Sequence, residues 1–212
     1  MFYPSPSATC AVMKAQFAFA ILLLCASLAF SAYPAVKVEL FAMAKCPYCA
    51  QWVESFDKNV LAFEDVAEIV SLDIQYVARD NGNGDFSCLH GPGECVGDQY
   101  VLCAKNVSQS SEKFVPDWWT MASCMDEDQS KIPFNSKVCA TNAGLSWPAI
   151  SDCYTSKLGA TLFAESIAVC EKMGVNSTPT IFVNGKEYDG NNMLKEICAQ
   201  YTGPKPSSCN NA

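Results

Sequence analysis

Apolar and polar positions fall into two periods along this chain, and their alternation sketches an architecture. Residues 36–43 (VKVELFAM) form a nearly continuous run of apolar, β-branched and aromatic side chains, as in a mostly buried strand. After Pro47, the residues Trp52, Val53, Phe56, Val60 and Phe63 recur at helical spacing and predict a helix to about Leu61. Pro47 suits its first turn, where a missing N–H is no loss. Residues 69–78 (IVSLDIQYVA) alternate as a second strand, which makes a βαβ unit with a right-handed crossover.

From Arg79 to about Met173 the period is helical and is interrupted at Pro116, Pro133 and Pro148. The stretch RDNGNGD reads as a turn-rich exit from the second strand. Trp118, Trp119, Met121 and Met125 make one apolar helix face, and Leu158, Leu162, Phe163, Ile167, Val169 and Met173 make another, ended by Gly174. Both faces read as core packing rather than ligand sites. Strand chemistry returns at residues 180–183 (TIFV), followed by the hairpin signal Asn184-Gly185 and a return run at 186–188. A closing helix over 191–201 is capped from the Asn191-Asn192 pair, and the tail at 202–212 reads as loose unless Cys209 ties it down, with Cys198 as a candidate partner. The order βαβ, helical insertion, ββα describes an α/β protein of thioredoxin-like layout, with a cysteine-rich insertion at about 79–174 between its halves.

The N-terminus adds a targeting segment. Residues 17–30 (FAFAILLLCASLAF) have the length of a signal-peptide apolar region, Lys14 precedes them, and Ala29 and Ser31 predict cleavage after Ser31. Met13 offers a second start. The rival reading is a membrane anchor, since a weakly apolar stretch from about 15 to 36 just reaches the ~20 residues a span needs. Tyr33-Pro34 interrupts it, so no stable membrane anchor is expected. The domain expectation is therefore a signal peptide at 1–31 and one domain at 32–212. Half the residues are hydrophobic, which argues for a packed protein, and the net charge of −8 argues against nucleic acid as a partner.

Of 13 cysteines, Cys10 and Cys25 would leave with the signal. In an oxidising secretory route the remaining density implies disulfides. Setting aside Cys46 and Cys49, the candidates are Cys88, Cys95, Cys103, Cys124, Cys139, Cys153, Cys170, Cys198 and Cys209. Their number is odd, so at least one is free, shared with the Cys46–Cys49 pair, or paired between chains in a disulfide-linked homodimer. Two sequons occur: Asn106, in a polar stretch, is the expected glycan acceptor, while Asn176, next to Thr178-Pro179, is expected to be bare.

The chemistry centres on Cys46 and Cys49 in KCPYCAQW, at a strand-to-helix junction. A two-residue spacer lets the pair close a small disulfide, and the helix N-terminus stabilises the thiolate of the first. Cys46 is thus the nucleophile and Cys49, one turn inside, the resolving thiol. At pH ~5 a thiol of pKa ~8.5 is only about 0.03% thiolate. A pKa near ~6.5 raises that fraction roughly 100-fold, of which lower nucleophilicity leaves a gain of about tenfold. The second element is VNSTPTIFVNGK at 175–186, where Thr178-Pro179 immediately precedes a short strand. In thioredoxin-like folds a cis-proline facing the dithiol occupies this place, and it would offer the backbone of Thr178 to an extended substrate chain.

Residues 88–103 read CLHGPGECVGDQYVLC. They resemble the signature C-Q-H-G-x-x-E-C-x-x-N-x-x-x-x-C of the gamma-interferon-inducible lysosomal thiol reductase family, keeping Cys88, His90, Gly91, Glu94, Cys95 and Cys103. Leu89 stands where the signature has Gln, and Asp98 where it has Asn. The resemblance covers residues 36–201. It implies a soluble reductase of protein disulfides, active at acid pH in endosomes or lysosomes, or secreted. It also implies no bound prosthetic group, with reducing equivalents from an external small thiol such as cysteine. Cys46 and Cys49 match the family's active pair. His90 and Glu94 read as parts of a structural loop pinned by Cys88, Cys95 and Cys103, rather than as catalytic groups.

Other chemistries fit less well. A zinc site needs a second cysteine pair at comparable spacing, and His90 is the sole histidine, so no metal is expected. A cysteine protease would need that same histidine. Glutaredoxins share C-P-Y-C, but a secretory chain with many further cysteines is unlike a cytosolic glutathione enzyme. The remaining alternative is a secreted disulfide-rich binding or structural protein on a non-catalytic thioredoxin-like scaffold.

Overall fold

The computed structural model describes residues 33–108 and 114–211. The signal segment and its cleavage point at Ser31 lie outside the described residues.

Strand β1 (Val36–Ala42) is buried at every position but one, because a neighbouring strand lies on each of its edges. It pairs in parallel with β2 (Val70–Tyr76) from Val36↔Val70 to Ala42↔Tyr76. On its other edge it pairs antiparallel with β5 (Thr180–Val183), which pairs antiparallel with the short β6 (Lys186–Glu187). The sheet order is β2-β1-β5-β6. Helix α1 (Pro47–Phe56) follows β1 and runs on as a π-helical turn, Asp57–Leu61, so the helical stretch ends where the periodicity predicts. A short α2 (Glu64–Ala67) leads into β2.

RDNGNGD is not a simple turn. It builds a hairpin of β3 (Arg79–Gly82) and β4 (Asp85–Ser87), whose bend uses positive φ at Gly82, Asn83 and Gly84. Phe86 on β4 packs against Phe163 at a ring separation of 4.7 Å, which ties the hairpin to the helices behind it. The insertion then supplies α3 (Pro92–Val107), α4 (Asp117–Asp126), α5 (Ser136–Asn142), α6 (Trp147–Thr155) and α7 (Lys157–Lys172). Helix α3 is its hub, packing on α4, α6 and α7. Helix α7 returns to β2, where Ser166 Oγ accepts from Tyr76 N at 2.8 Å.

Trp118, Trp119, Met121 and Met125 are buried, as core residues should be. Trp119 also latches α4 to α1: its Nε1–H donates to Asp57 Oδ1 at 2.7 Å and its ring meets Trp52 and Phe56 edge-on. On the second face Phe163 and Ile167 are buried, but Leu158 is 42% exposed. Leu158 lies in the first turn of α7, at the edge of the packed face.

Four disulfides join Cys88 to Cys95, Cys103 to Cys153, Cys124 to Cys139, and Cys198 to Cys209. Cys103 therefore staples α3 to α6 and does not pin the 88–95 loop. Closing a loop of 50 residues in the unfolded chain, it contributes about 4 kcal/mol on chain-entropy grounds. Cys198–Cys209 is the pairing that the sequence offered for tying down the tail, and residues Ser207–Asn211 form a 3-10 turn. Ser207 Oγ and Ser208 N both donate to Asp65 Oδ2, and these bonds hold the Asp65 carboxyl low, at about 2.

Cys170 is a correction to the disulfide candidates: it is a free thiol, 2% exposed, packed with Phe41 and Phe182 on one face of the sheet. Its sulfur donates to Tyr76 O at 3.4 Å. A homodimer linked through this odd cysteine would need its buried sulfur to reach a second chain. Closing helix α8 (Met193–Gln200) is capped by Asn192, whose Oδ1 accepts from Lys195 N. Among the described residues no helix is long and apolar enough to cross a membrane.

Candidate active site

Strand β1 ends at Ala42, and the next residues turn to deliver Cys46 to the N-cap of α1. Cys46 has extended backbone angles, φ −81° and ψ 116°, with Pro47 in the first helical turn. Its N–H donates to Met43 O at 3.0 Å, and its carbonyl accepts from Cys49 N and Ala50 N. The sulfur thus sits at the N-terminal, positive end of the helix dipole.

Cys46 and Cys49 are both free thiols, 5% and 1% exposed. Burial pushes the Cys49 thiol far up, and neighbouring Cys46 adds to the shift. Behind Cys49 lies a cavity of about 10 Å³, with room for about one water, lined in part by Tyr76, Asp126 and Ile132. Asp126 is raised by burial to about 7, opposed by the hydrogen bond from Gln129.

The Thr178–Pro179 bond is cis. It turns the carbonyl of Thr178 towards the dithiol, 3.9 Å from Cys46 Sγ. Asn176, in the preceding loop, is exposed. Asn106 lies in the last turn of α3, with Ser108 of its sequon buried, and not in an open polar loop.

Three residues of the insertion hold the loop before Cys46. Asp98 Oδ1 accepts from Ala44 N at 2.9 Å, and Glu94 Oε2 accepts from Lys45 N at 3.3 Å. Gln129 Nε2 donates to Cys46 O at 2.9 Å and to Ala44 O at 3.3 Å. The approach depends on Gly97, where a Cβ would stand 2.5 Å from Ile132 Cγ2 and 3.3 Å from Ala44 Cβ. The 88–95 loop is thus more than a pinned structural loop. His90 N donates to Glu94 Oε1 at 3.1 Å and the His90 ring meets Glu94 Oε2, which steadies the carboxylate that holds Lys45. Of the two departures from the signature, Leu89 points into solvent, 76% exposed, while Asp98 keeps a hydrogen-bond acceptor on the loop. Gln129 had no sequence signal, because a lone Gln after a helix carries no pattern. Glu94 and Asp98 had one, an i, i+4 spacing on one helix face, but its target could not be read.

The profile of the family described as gamma interferon inducible lysosomal thiol reductase matches residues 37–143, half of the chain, from β1 to the end of α5. Among individual proteins, the chain is 25% identical over 193 residues to a gamma-interferon-inducible lysosomal thiol reductase of Carassius auratus, covering 85% of this chain and 74% of that protein. It is 26% identical over 216 residues to GILT-like protein 1 of Drosophila melanogaster, covering 90% and 86%. Among solved structures it resembles reduced DsbA of Mycobacterium tuberculosis, with a TM-score of 0.59 and 17% identity over 86% of this chain and 92% of that one. It also resembles reduced DsbG of the same organism, with a TM-score of 0.58 and 17% identity over 83% and 82%. At that identity the structural likeness speaks for the fold alone, which is thioredoxin-like with a disulfide-rich helical insertion. From the match across half its length, the chain belongs to the gamma interferon inducible lysosomal thiol reductase family.

Proposed function

We propose that this protein reduces disulfide bonds of protein substrates through Cys46 and Cys49. The observation that carries the reading is the Cys46 sulfur at a helix N-terminus, 3.9 Å from the Thr178 carbonyl, with a buried second thiol behind it. The Cys46 thiolate attacks one sulfur of a substrate disulfide, forms a mixed disulfide and expels the other sulfur as a thiolate, which takes up a proton. Cys49 then loses its proton and attacks Cys46 Sγ. The substrate's second sulfur leaves and is protonated, so the substrate has gained two electrons and two protons. The enzyme is left with a Cys46–Cys49 disulfide, which two molecules of an external small thiol such as cysteine reduce. No bound prosthetic group enters this cycle. Thr178 and Pro179 would bind the extended substrate chain beside the disulfide.

The family, the names of the two relatives and the secretory reading of the N-terminus support work at acid pH in an endosomal or lysosomal compartment. The raised carboxyls of Asp98 and Asp126, which are neutral when acid, suit that setting. The test is reduction of a denatured disulfide protein by purified protein at pH ~5 and ~7, with cysteine supplied. Wild type should reduce it, faster relative to the uncatalysed thiol at pH ~5, and Cys46→Ser should not. Equal behaviour of Cys46→Ser and wild type would leave a non-catalytic binding protein as the better account.

A further inference from the structure

Glu94 and Asp98 stand one turn apart on α3, both with no exposed surface, and both face the backbone that leads into Cys46. A buried carboxylate costs several kcal/mol unless it is paired. Glu94 has a polar partner, since the His90 ring, one-third exposed, lies on its carboxylate. Asp98 has a different environment. The ionisable groups that act on it through their charge are Glu94 on its own helix, Asp126 on α4, Tyr76 on β2 and Cys170 on α7, none of them basic. Lys45 in the loop and His90 are the basic residues of the adjoining segments, and among the described residues neither pairs with Asp98.

The two oxygens of Asp98 also have unlike partners. Oδ1 accepts from Ala44 N at 2.9 Å. Oδ2 lies 3.8 Å from Cys88 Sγ, and that sulfur is bonded to Cys95, so it has no proton to give. A carboxylate oxygen there meets an acceptor, whereas a carboxylic O–H would find in that sulfur a weak acceptor. Burial and the Glu94 charge push the Asp98 carboxyl well above its ordinary range, in the same direction.

We infer that Asp98 is a positioning residue for Cys46 that works as a neutral acid: its carbonyl oxygen holds Ala44 N while its protonated oxygen faces the Cys88–Cys95 disulfide. In that form it is the shape of an Asn side chain, which is the residue the family signature carries there. Ionisation would put a second negative charge beside Glu94, a few bonds from the loop that presents Cys46. This inference rests on the proposed role of Cys46 as nucleophile.

The test follows Asp98 without needing turnover. The infrared difference spectrum of reduced wild type minus Asp98→Asn at pH ~6 should contain a protonated-carboxyl stretch, separate from the Asp126 carboxyl that both proteins share. Alkylation of Cys46 by iodoacetamide at pH ~5 should proceed in Asp98→Asn within about twofold of wild type, and about tenfold slower in Asp98→Ala, which loses the acceptor that holds Ala44 N. The ratio of Asp98→Asn to wild-type rates should climb above one as pH rises through the Asp98 titration, because only the wild type gains the charge. Absence of the infrared band, a tenfold loss in Asp98→Asn, or a normal rate in Asp98→Ala would each overturn the inference. If Asp98→Ala does not fold, the band and the Asp98→Asn rate still decide it. A protein that passes these tests but reduces no disulfide would instead sink the proposed function.

Discussion

The sulfur of Cys46 and the carbonyl oxygen of Thr178 lie 3.9 Å apart although 132 residues separate them in the chain. Strand β5, antiparallel to β1 through Phe41↔Thr180, makes the meeting possible by bringing the start of one strand beside the end of the other. A substrate chain lying along the Thr178 edge would have its disulfide within reach of the Cys46 sulfur at the helix N-terminus.

Replacing Cys49 removes resolution but not attack. Cys49→Ser should therefore accumulate a mixed disulfide between Cys46 and a substrate peptide, seen by non-reducing mass spectrometry. In wild type, resolution by a thiol already held beside Cys46 should keep that species scarce. A trapped adduct on any other cysteine would contradict the assigned order of the two thiols.

Gln129 donates to two carbonyls of the loop, those of Ala44 and Cys46, and to Asp126. Gln129→Ala should lower unfolding free energy by about 1–2 kcal/mol, for lost bonds to part-buried acceptors. It should also slow Cys46 alkylation at fixed pH. Denaturant titration and iodoacetamide kinetics measure the two effects separately.

Asp126 gives the stability a pH dependence of known sign. Its folded pKa is raised from 3.8 to about 7, so the folded state holds a proton that the unfolded chain gives up earlier. Its contribution to stability is complete below about pH 4 and is lost as pH rises to about 7. The urea midpoint of wild type should fall across that window, and Asp126→Asn should flatten the fall. A wild-type midpoint that rises over the same range would refute the assignment.

Cys170 should resist alkylation in the native protein, because its thiol is buried and raised to about 12, chiefly by that burial. Reaction with iodoacetamide at pH ~8 should label Cys46 of the reduced protein and spare Cys170 until denaturant is added. Cys170→Ala should cost about 1–2 kcal/mol for the space left between Phe41 and Phe182 and should leave the proposed disulfide reduction unchanged.

Much of the fold was legible because its signals are local. The apolar run of β1, the helical period after Pro47, the Asn-Gly hairpin and the Asn192 cap each depend on residues within a few positions of one another. RDNGNGD misled because its turn residues dominate a short window, while the pairing of Arg79 with Ser87 and the Phe86–Phe163 contact depend on what packs behind. Leu158 fitted the helical period but fell at an edge, since period alone does not say where a neighbour ends.

The site divides in the same way. Cys46, Cys49 and Thr178-Pro179 could be picked out because spacing, strand-to-helix placement and proline chemistry are written in order along the chain. The partners of the other cysteines could not, since pairing depends on which helices lie side by side, and the unpaired sulfur is the one that faces Phe41 and Phe182 across the sheet. The sequence alone determined that two cysteines, two residues apart, stand at a helix start beside an odd number of other cysteines. Only the tertiary structure decided that Glu94, Asp98 and Gln129 grip the loop before it, because hydrogen bonds to backbone depend on approach through space, and Gly97 permits that approach by having no side chain.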